Sequence, residues 1–185
     1  FSLITGTAPL QVLSRHVLPD ALSPAGGTPP DETKIAEMFG KLDAAETAGR
    51  LAAAIPFLAK HGGSTGKVGV VGFCWGGGMV NRVAAAAGAS LNAGVSYYGP
   101  QIPAADVPKI AAPLLLHYAS LDQRINAGIA DYETALKANN KTYELFMYEG
   151  ANHAFNNNTY AARYHTDAAA LAWSRTIAFF KKHLG

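Results

Sequence analysis

The chain has one cysteine, Cys74, and it stands in the run Gly72-Phe73-Cys74-Trp75-Gly76. A thiol packed as a small hydrophobe needs no glycines beside it. A nucleophile on a sharp turn does, because only small neighbours let a strand and a helix close around it. The apolar run before Cys74 reads as a strand, and the alanine-rich run after it reads as a helix. The thiol then lies at a helix N-terminus, where the backbone dipole favours a thiolate. The backbone N–H of Trp75 points where an oxyanion would form.

A thiol nucleophile needs a base, and the base needs a carboxylate to orient it. Asp122 follows the apolar stretch LLLHYA, and His153 follows YELFMY in the segment EGANH. Both fall at the C-terminal ends of predicted strands, the side on which open α/β sheets bind ligands. Asp122 also suits the cap of the helix after it. Trp75, Tyr97, Tyr98 and Phe155 are the aromatic residues near these positions and are expected to line the substrate pocket. The other histidines read as structural: His117 lies inside a strand, His183 ends a helix, and His16, His61 and His165 belong to no motif.

The elements that must position these residues follow from hydrophobic period and breakers. Strands are expected at 67–73, 93–98, 113–119 and 142–148, and helices at 75–87, 125–139 and 160–183, the last with Leu171, Ile177 and Phe180 on its inner side. Asp31 after Pro30 is a helix cap, and a helix over 44–60 carries Leu51, Ile55 and Leu58 on one face, with Pro56 as a kink or break. Residues 1–4 and 10–13 have the composition of short strands, and 19–30 is a Pro/Gly-rich loop. Short apolar strands alternating with helices predict a mainly parallel sheet covered on both faces. No linker or repeat divides residues 1–185, so one domain is expected, with 1–18 as an atypical start.

Composition removes several classes of function. Half of the residues are apolar (49%) and the net charge is +2, so the chain can build a core and carries no basic patch for nucleic acid. No apolar run approaches the roughly 20 residues that span a bilayer. A single cysteine excludes an internal disulfide and a cysteine zinc site, in keeping with a reducing, cytoplasmic compartment. Gly76-Gly77-Gly78 lacks the lysine and spacing of a phosphate loop. A glutamine amidotransferase also uses a Gly-x-Cys-x-Gly turn, but its His-Pro-Glu pattern is absent at His153-Ala154-Phe155.

The segments LPDALSPAGGTP, VGVVGFCWGGGM, VSYYGP, LLLHYASLD and YEGANHAFNNN together resemble the dienelactone hydrolase (carboxymethylenebutenolidase) family, from about residue 19 to the C-terminus. The resemblance implies a three-layer α/β-hydrolase fold, with Cys74 as nucleophile, Asp122 as orienter and His153 as base and then acid. It implies hydrolysis of a small ester or lactone through an acyl-thioester, with no metal or organic cofactor. Members of the family carry earlier strands and a His-Glu loop that supplies a second oxyanion amide; residues 1–18 do not match that segment. Their arginine after the catalytic histidine is also missing, with Arg163 the nearest substitute. Without the first strands, strand 67–73 becomes an exposed apolar edge, which predicts a homodimer. The alternative is a truncated scaffold that associates and does little chemistry.

Overall fold

The computed structural model describes residues 2–5 and 15–185. The predicted strand at 10–13 lies outside them. In chain order the elements are β1 (Ser2–Thr5), β2 (Arg15–Val17), α1 (Glu32–Gly40), α2 (Ala44–Ala59), β3 (Val68–Phe73), α3 (Trp75–Ala87), β4 (Ala93–Tyr97), β5 (Leu114–Ala119), α4 (Gln123–Asn126), α5 (Ile129–Ala138), β6 (Tyr143–Tyr148) and α6 (Thr166–Leu184).

The six strands form one sheet in the order β2-β1-β3-β4-β5-β6. The last four are parallel, and β1 runs antiparallel to both its neighbours. This pairing corrects the expectation of an exposed edge at β3. Ser2–Thr5 hydrogen-bonds along Val68–Val71, so β3 is interior and the edge passes to the three-residue β2. The ground for expecting a homodimer through β3 is thereby removed.

Side chains alternate across the sheet and meet two separate cores. On one face Val68, Val70, Leu114, Leu116 and Tyr118 pack with Leu51, Ile55 and Leu58 of α2 and with Met79, Val80 and Val83 of α3. On the other face Val71, Val95, Tyr97 and Leu115 pack against Ala169, Ala172, Phe179 and Phe180 of α6. This is the three-layer arrangement that a mainly parallel sheet requires.

Several boundaries differ from expectation for local reasons. Helix α2 runs unbroken through Pro56. The predicted helix 125–139 divides into α4 and α5 at Ala127–Gly128, where Gln101 fills the space beside Gly128. Helix α6 begins at Thr166, not at residue 160: His165 caps it by accepting from Ala168 N–H, and its own N–H bonds the Phe155 carbonyl at 3.0 Å. Leu171, expected inside, is 47% exposed. The buried face of α6 starts with the small-residue row Ala168, Ala169, Ala172 and Thr176, which lets that part of the helix lie close on the sheet, and ends in Phe179, Phe180 and Leu184.

Candidate active site

The turn at Cys74 is closed by backbone contacts that leave no room for side chains. A Cβ on Gly72 would lie 2.1 Å from the Gly76 carbonyl oxygen. The helix also abuts the next strand's exit: Gly77 and Gly99 touch, and a Cβ on Gly99 would sit 2.2 Å from the Gly77 carbonyl carbon. Cys74 pays for this tight geometry with φ 54°, a left-handed value disfavoured for any residue with a side chain. Its N–H bonds the Tyr97 carbonyl at 3.0 Å, and its carbonyl accepts from Gly78 N–H at 3.2 Å. The result is an exposed thiol at the C-terminal edge of the sheet, on the first residue before α3.

Two loops bring the other groups to it. The turn after β5 is tied to the turn after β6 by Ser120 N–H to Tyr148 O and Leu121 N–H to Ala151 O, both at 3.0 Å, and by Gly150 N–H to Ser120 Oγ at 2.9 Å. Asp122 and His153 therefore face each other. His153 Nδ1 lies 2.5 Å from Asp122 Oδ2, and His153 Nε2 lies 3.1 Å from Cys74 Sγ. The two contacts of Asp122 use different oxygens: Oδ2 faces His153, and Oδ1 accepts from Ile125 N–H at 3.3 Å and caps α4.

The electrostatics suit a thiolate beside an imidazolium. The hydrogen bond from His153 holds the Cys74 thiol below its ordinary range against the opposing effect of partial burial; the His153 charge, the Trp75 N–H and the Arg124 guanidinium add to it. His153 is raised, first by its bond to Cys74 and then by its bond to Asp122, again against burial. Each partner stabilises the charged form of the other.

The aromatic residues divide. Tyr98 stands at φ 39° immediately after β4, its ring centroid 5.1 Å from that of His153, and it lines a cavity beside Cys74. Trp75 lines a second cavity, its ring set edge-on to Phe39 at 4.5 Å. Tyr97 and Phe155, expected at the pocket surface, are both fully buried. They point into the core under α6: Tyr97, on β4, shares a hydrogen bond with Thr176 Oγ1 at 2.7 Å, and Phe155, in the loop after β6, packs on Tyr148 with ring centroids 5.0 Å apart. Arg163, expected near the substrate, lines neither cavity and stacks over Tyr160 instead.

His117 is structural, as its position in a strand suggested. It is buried between Tyr148 Oη at 2.9 Å and Thr176 Oγ1 at 3.1 Å. Burial pushes its imidazole down to about 3. Arg175 donates to Tyr148 Oη at 3.1 Å and extends the chain of hydrogen bonds that runs through His117 to Thr176.

The cavities also reveal wall residues that the sequence reading missed. One, of about 400 Å³, lies between Cys74, Trp75, Phe39, Leu51 and the loop carrying Asp20 and Thr28. The other, of about 310 Å³, lies between Cys74, Tyr98, Ala154, Asn156 and Asn157. Phe73 borders both. The Asn run beside His153 and the Asp after Pro19 were visible as motif residues, but nothing local tied them to the thiol. Among the described residues no group of three or more His, Cys, Asp or Glu side chains is placed to hold a metal ion.

The profile of the dienelactone hydrolase family matches residues 12–184. The chain belongs to the dienelactone hydrolase family. Among its relatives in that family is a Yersinia pestis protein named "Putative carboxymethylenebutenolidase", 35% identical over 138 residues, which are 69% of this chain and 51% of the relative. An Escherichia coli K12 protein of the same name is 31% identical over 70% of this chain and 51% of its own length. The chain thus spans about half the length of these curated relatives. Among solved structures, that titled "Putative Dienelactone Hydrolase" from Klebsiella pneumoniae superposes with a TM-score of 0.72 at 29% identity, covering 83% of this chain and 68% of the other. The dienelactone hydrolase from Anabaena variabilis shares the fold with a TM-score of 0.64 at 24% identity, covering 89% of this chain and 76% of that one.

Proposed function

We propose that this chain hydrolyses small esters or lactones through an acyl-thioester on Cys74. The observation that carries the reading is the continuous line from Asp122 Oδ2 through the His153 ring to Cys74 Sγ, on a glycine-closed turn at the head of α3. The thiolate attacks the ester carbonyl and forms a C–S bond. The carbonyl oxygen takes the negative charge and turns to the Trp75 N–H at the start of α3, where the helix dipole adds to the attraction. The C–O bond then breaks, and the imidazolium of His153 passes its proton to the departing oxygen. His153, now neutral, takes a proton from water as the water oxygen attacks the thioester. The C–S bond breaks, the acid leaves, and the thiolate–imidazolium pair is restored. In a lactone the departing oxygen stays tethered to the acid.

Asp122 serves by holding the Nδ1–H of His153 and stabilising its charge, and the buried Tyr98 serves as the wall against which the imidazole lies. The second of the sequence readings, a scaffold of little activity, draws on the missing His-Glu segment and its oxyanion amide, and turnover decides between the two.

The test is steady-state hydrolysis of p-nitrophenyl acetate and of a dienelactone by the purified chain and by Cys74→Ala. Turnover that vanishes in the variant is the expected result, and the ratio of the two substrates separates lactonase from general esterase. Turnover that survives Cys74→Ala, or none in the parent chain, refutes the proposal.

A further inference from the structure

Asp122 serves His153 only while its carboxylate points at the imidazole, and an aspartate side chain has several staggered rotamers to choose from. The turn that carries it is short: β5 ends at Ala119, and α4 starts at Gln123. Backbone bonds close it, from Asp122 N–H to the Ala119 carbonyl at 3.1 Å and from Asn126 N–H to the Asp122 carbonyl at 2.9 Å. Oδ1 is taken by the cap of α4, which leaves Oδ2 for His153 Nδ1. The direction of Oδ2 therefore follows from how the residues just before Asp122 are held.

One side chain holds them. Asn126 stands one helical turn after Asp122, and side chains on a helix lean back toward its N-terminus. The Asn126 amide reaches the end of β5, where it donates to the Ala119 carbonyl at 2.8 Å and to the Ser120 carbonyl at 3.3 Å. Asn126 thus spans Asp122, with its backbone bonded to one side of that residue and its NH2 to the other. Ala119 is fully buried, so no solvent reaches its carbonyl to replace the donor. The hydroxyl of Ser120 meets Gly150 N–H at 2.9 Å in an exposed position, where water can serve instead. Oδ1 of Asn126 is buried and bonds none of the described residues. An apolar side chain of the same size would fill the space without desolvating an oxygen. What the asparagine adds is its two N–H groups, and both are aimed at the turn that carries Asp122.

We propose that Asn126 is a positioning residue of the site: by clamping the Ala119 and Ser120 carbonyls it fixes the direction of Asp122 Oδ2, and through it the charges on His153 and Cys74. The inference rests on the ester-hydrolase reading above, in which the thiolate–imidazolium pair performs the reaction. Without the clamp the carboxylate samples other directions, and its bond to His153 is made for only part of the time. A hydrogen bond to a charged group exceeds a neutral one by about 5- to 30-fold in population. Losing part of that bond is expected to lower the thiolate–imidazolium population about 3- to 10-fold.

The experiment follows alkylation of Cys74 by iodoacetamide against pH in the parent chain, Asn126→Leu, Asp122→Asn and the double variant, with melting temperatures alongside. Asn139→Leu is the control. Its side chain makes a bond of the same kind, to the Ala135 carbonyl at 2.8 Å, where α5 leads into β6 at the opposite edge of the sheet from Cys74. In Asn126→Leu the alkylation curve is expected to move to higher pH, with the rate at mildly acid pH down about 3- to 10-fold, while Asn139→Leu alkylates like the parent. In the double variant the loss is expected to exceed that of Asp122→Asn by less than about twofold, because the clamp acts through the carboxylate. An unchanged profile in a folded Asn126→Leu protein overturns the proposal, whatever its melting temperature. So do equal shifts in Asn126→Leu and Asn139→Leu, and losses that add in the double variant. Where the leucine variant does not fold, Asn126→Ala removes the same donors without the bulk and is judged by the same outcomes. Alkylation needs no turnover, so a parent chain that hydrolyses no ester fails the function reading and leaves this test in force.

Discussion

Asp122 is the position where one substitution tests how far a carboxylate charges the site. Its Oδ1 caps α4, and its Oδ2 meets His153 Nδ1 at 2.5 Å. Asparagine keeps one oxygen and places an NH2 where the other stood, so one of these two bonds is lost together with the charge. A hydrogen bond to a charged group is worth about 1.5–3 kcal/mol and a neutral one about 0.5–1.5 kcal/mol. The charge thus supplies about 1–2 kcal/mol to the imidazolium, which is about 5- to 30-fold in the thiolate–imidazolium population. The assay is the pH dependence of Cys74 alkylation by iodoacetamide, read with the ultraviolet absorbance of the thiolate. In the parent chain alkylation persists below the ordinary thiol range, because His153 holds the thiol down. In Asp122→Asn the curve moves to higher pH and the rate at mildly acid pH falls by at least the stated factor. Asp122→Ala adds the loss of the cap, about 1 kcal/mol of stability. An alkylation profile identical in Asp122→Asn and the parent, with equal melting temperatures, would refute the argument that Asp122 charges the site.

Other outcomes follow from the same structure. Hydrolysis is expected to be bell-shaped in pH, failing on the acid side as the thiolate is protonated and on the alkaline side as His153, raised by its partners, loses the proton it gives to the leaving group; a single ascending limb in kcat/KM contradicts that pairing. His117, neutral in the fold with its imidazole at about 3, binds a proton more readily when unfolded. Stability is therefore full above the unfolded value near 6.5 and declines as the pH falls toward 3, by up to about 1.4 kcal/mol per pH unit. Urea titrations of the parent and His117→Asn across that range check it, and the same slope in both excludes His117 as the cause. Phe155→Ala empties a fully buried site and is expected to cost about 3–5 kcal/mol, whereas Leu171→Ser on the exposed side of α6 stays within about 0.5 kcal/mol. Denaturation midpoints compare the two.

What the sequence determined by itself was local. The glycines around Cys74, the apolar run before it and the small residues after it specify a strand, a turn and a helix within a few residues of one another, and the place of Cys74 on that turn follows from them. Asp122 and His153 were legible because each stands just past the end of a strand, and parallel strands bring their C-terminal ends together. The tertiary structure decided what depends on which surface covers which. Tyr97 and Tyr98 are neighbours of one chemical type, yet one lies under α6 and the other beside the thiol, because the strand ends between them and Tyr98 turns to a left-handed φ. Leu171 carries the hydropathy of a core residue, but the sheet accepts the small-residue face of α6, one helical step away. Residues 2–5 pair with β3 through backbone groups that every residue type possesses, so no side-chain pattern announces the contact. Asp20 reaches the cavity of Cys74 across more than fifty residues of chain, a separation over which only the folded backbone sets the distance.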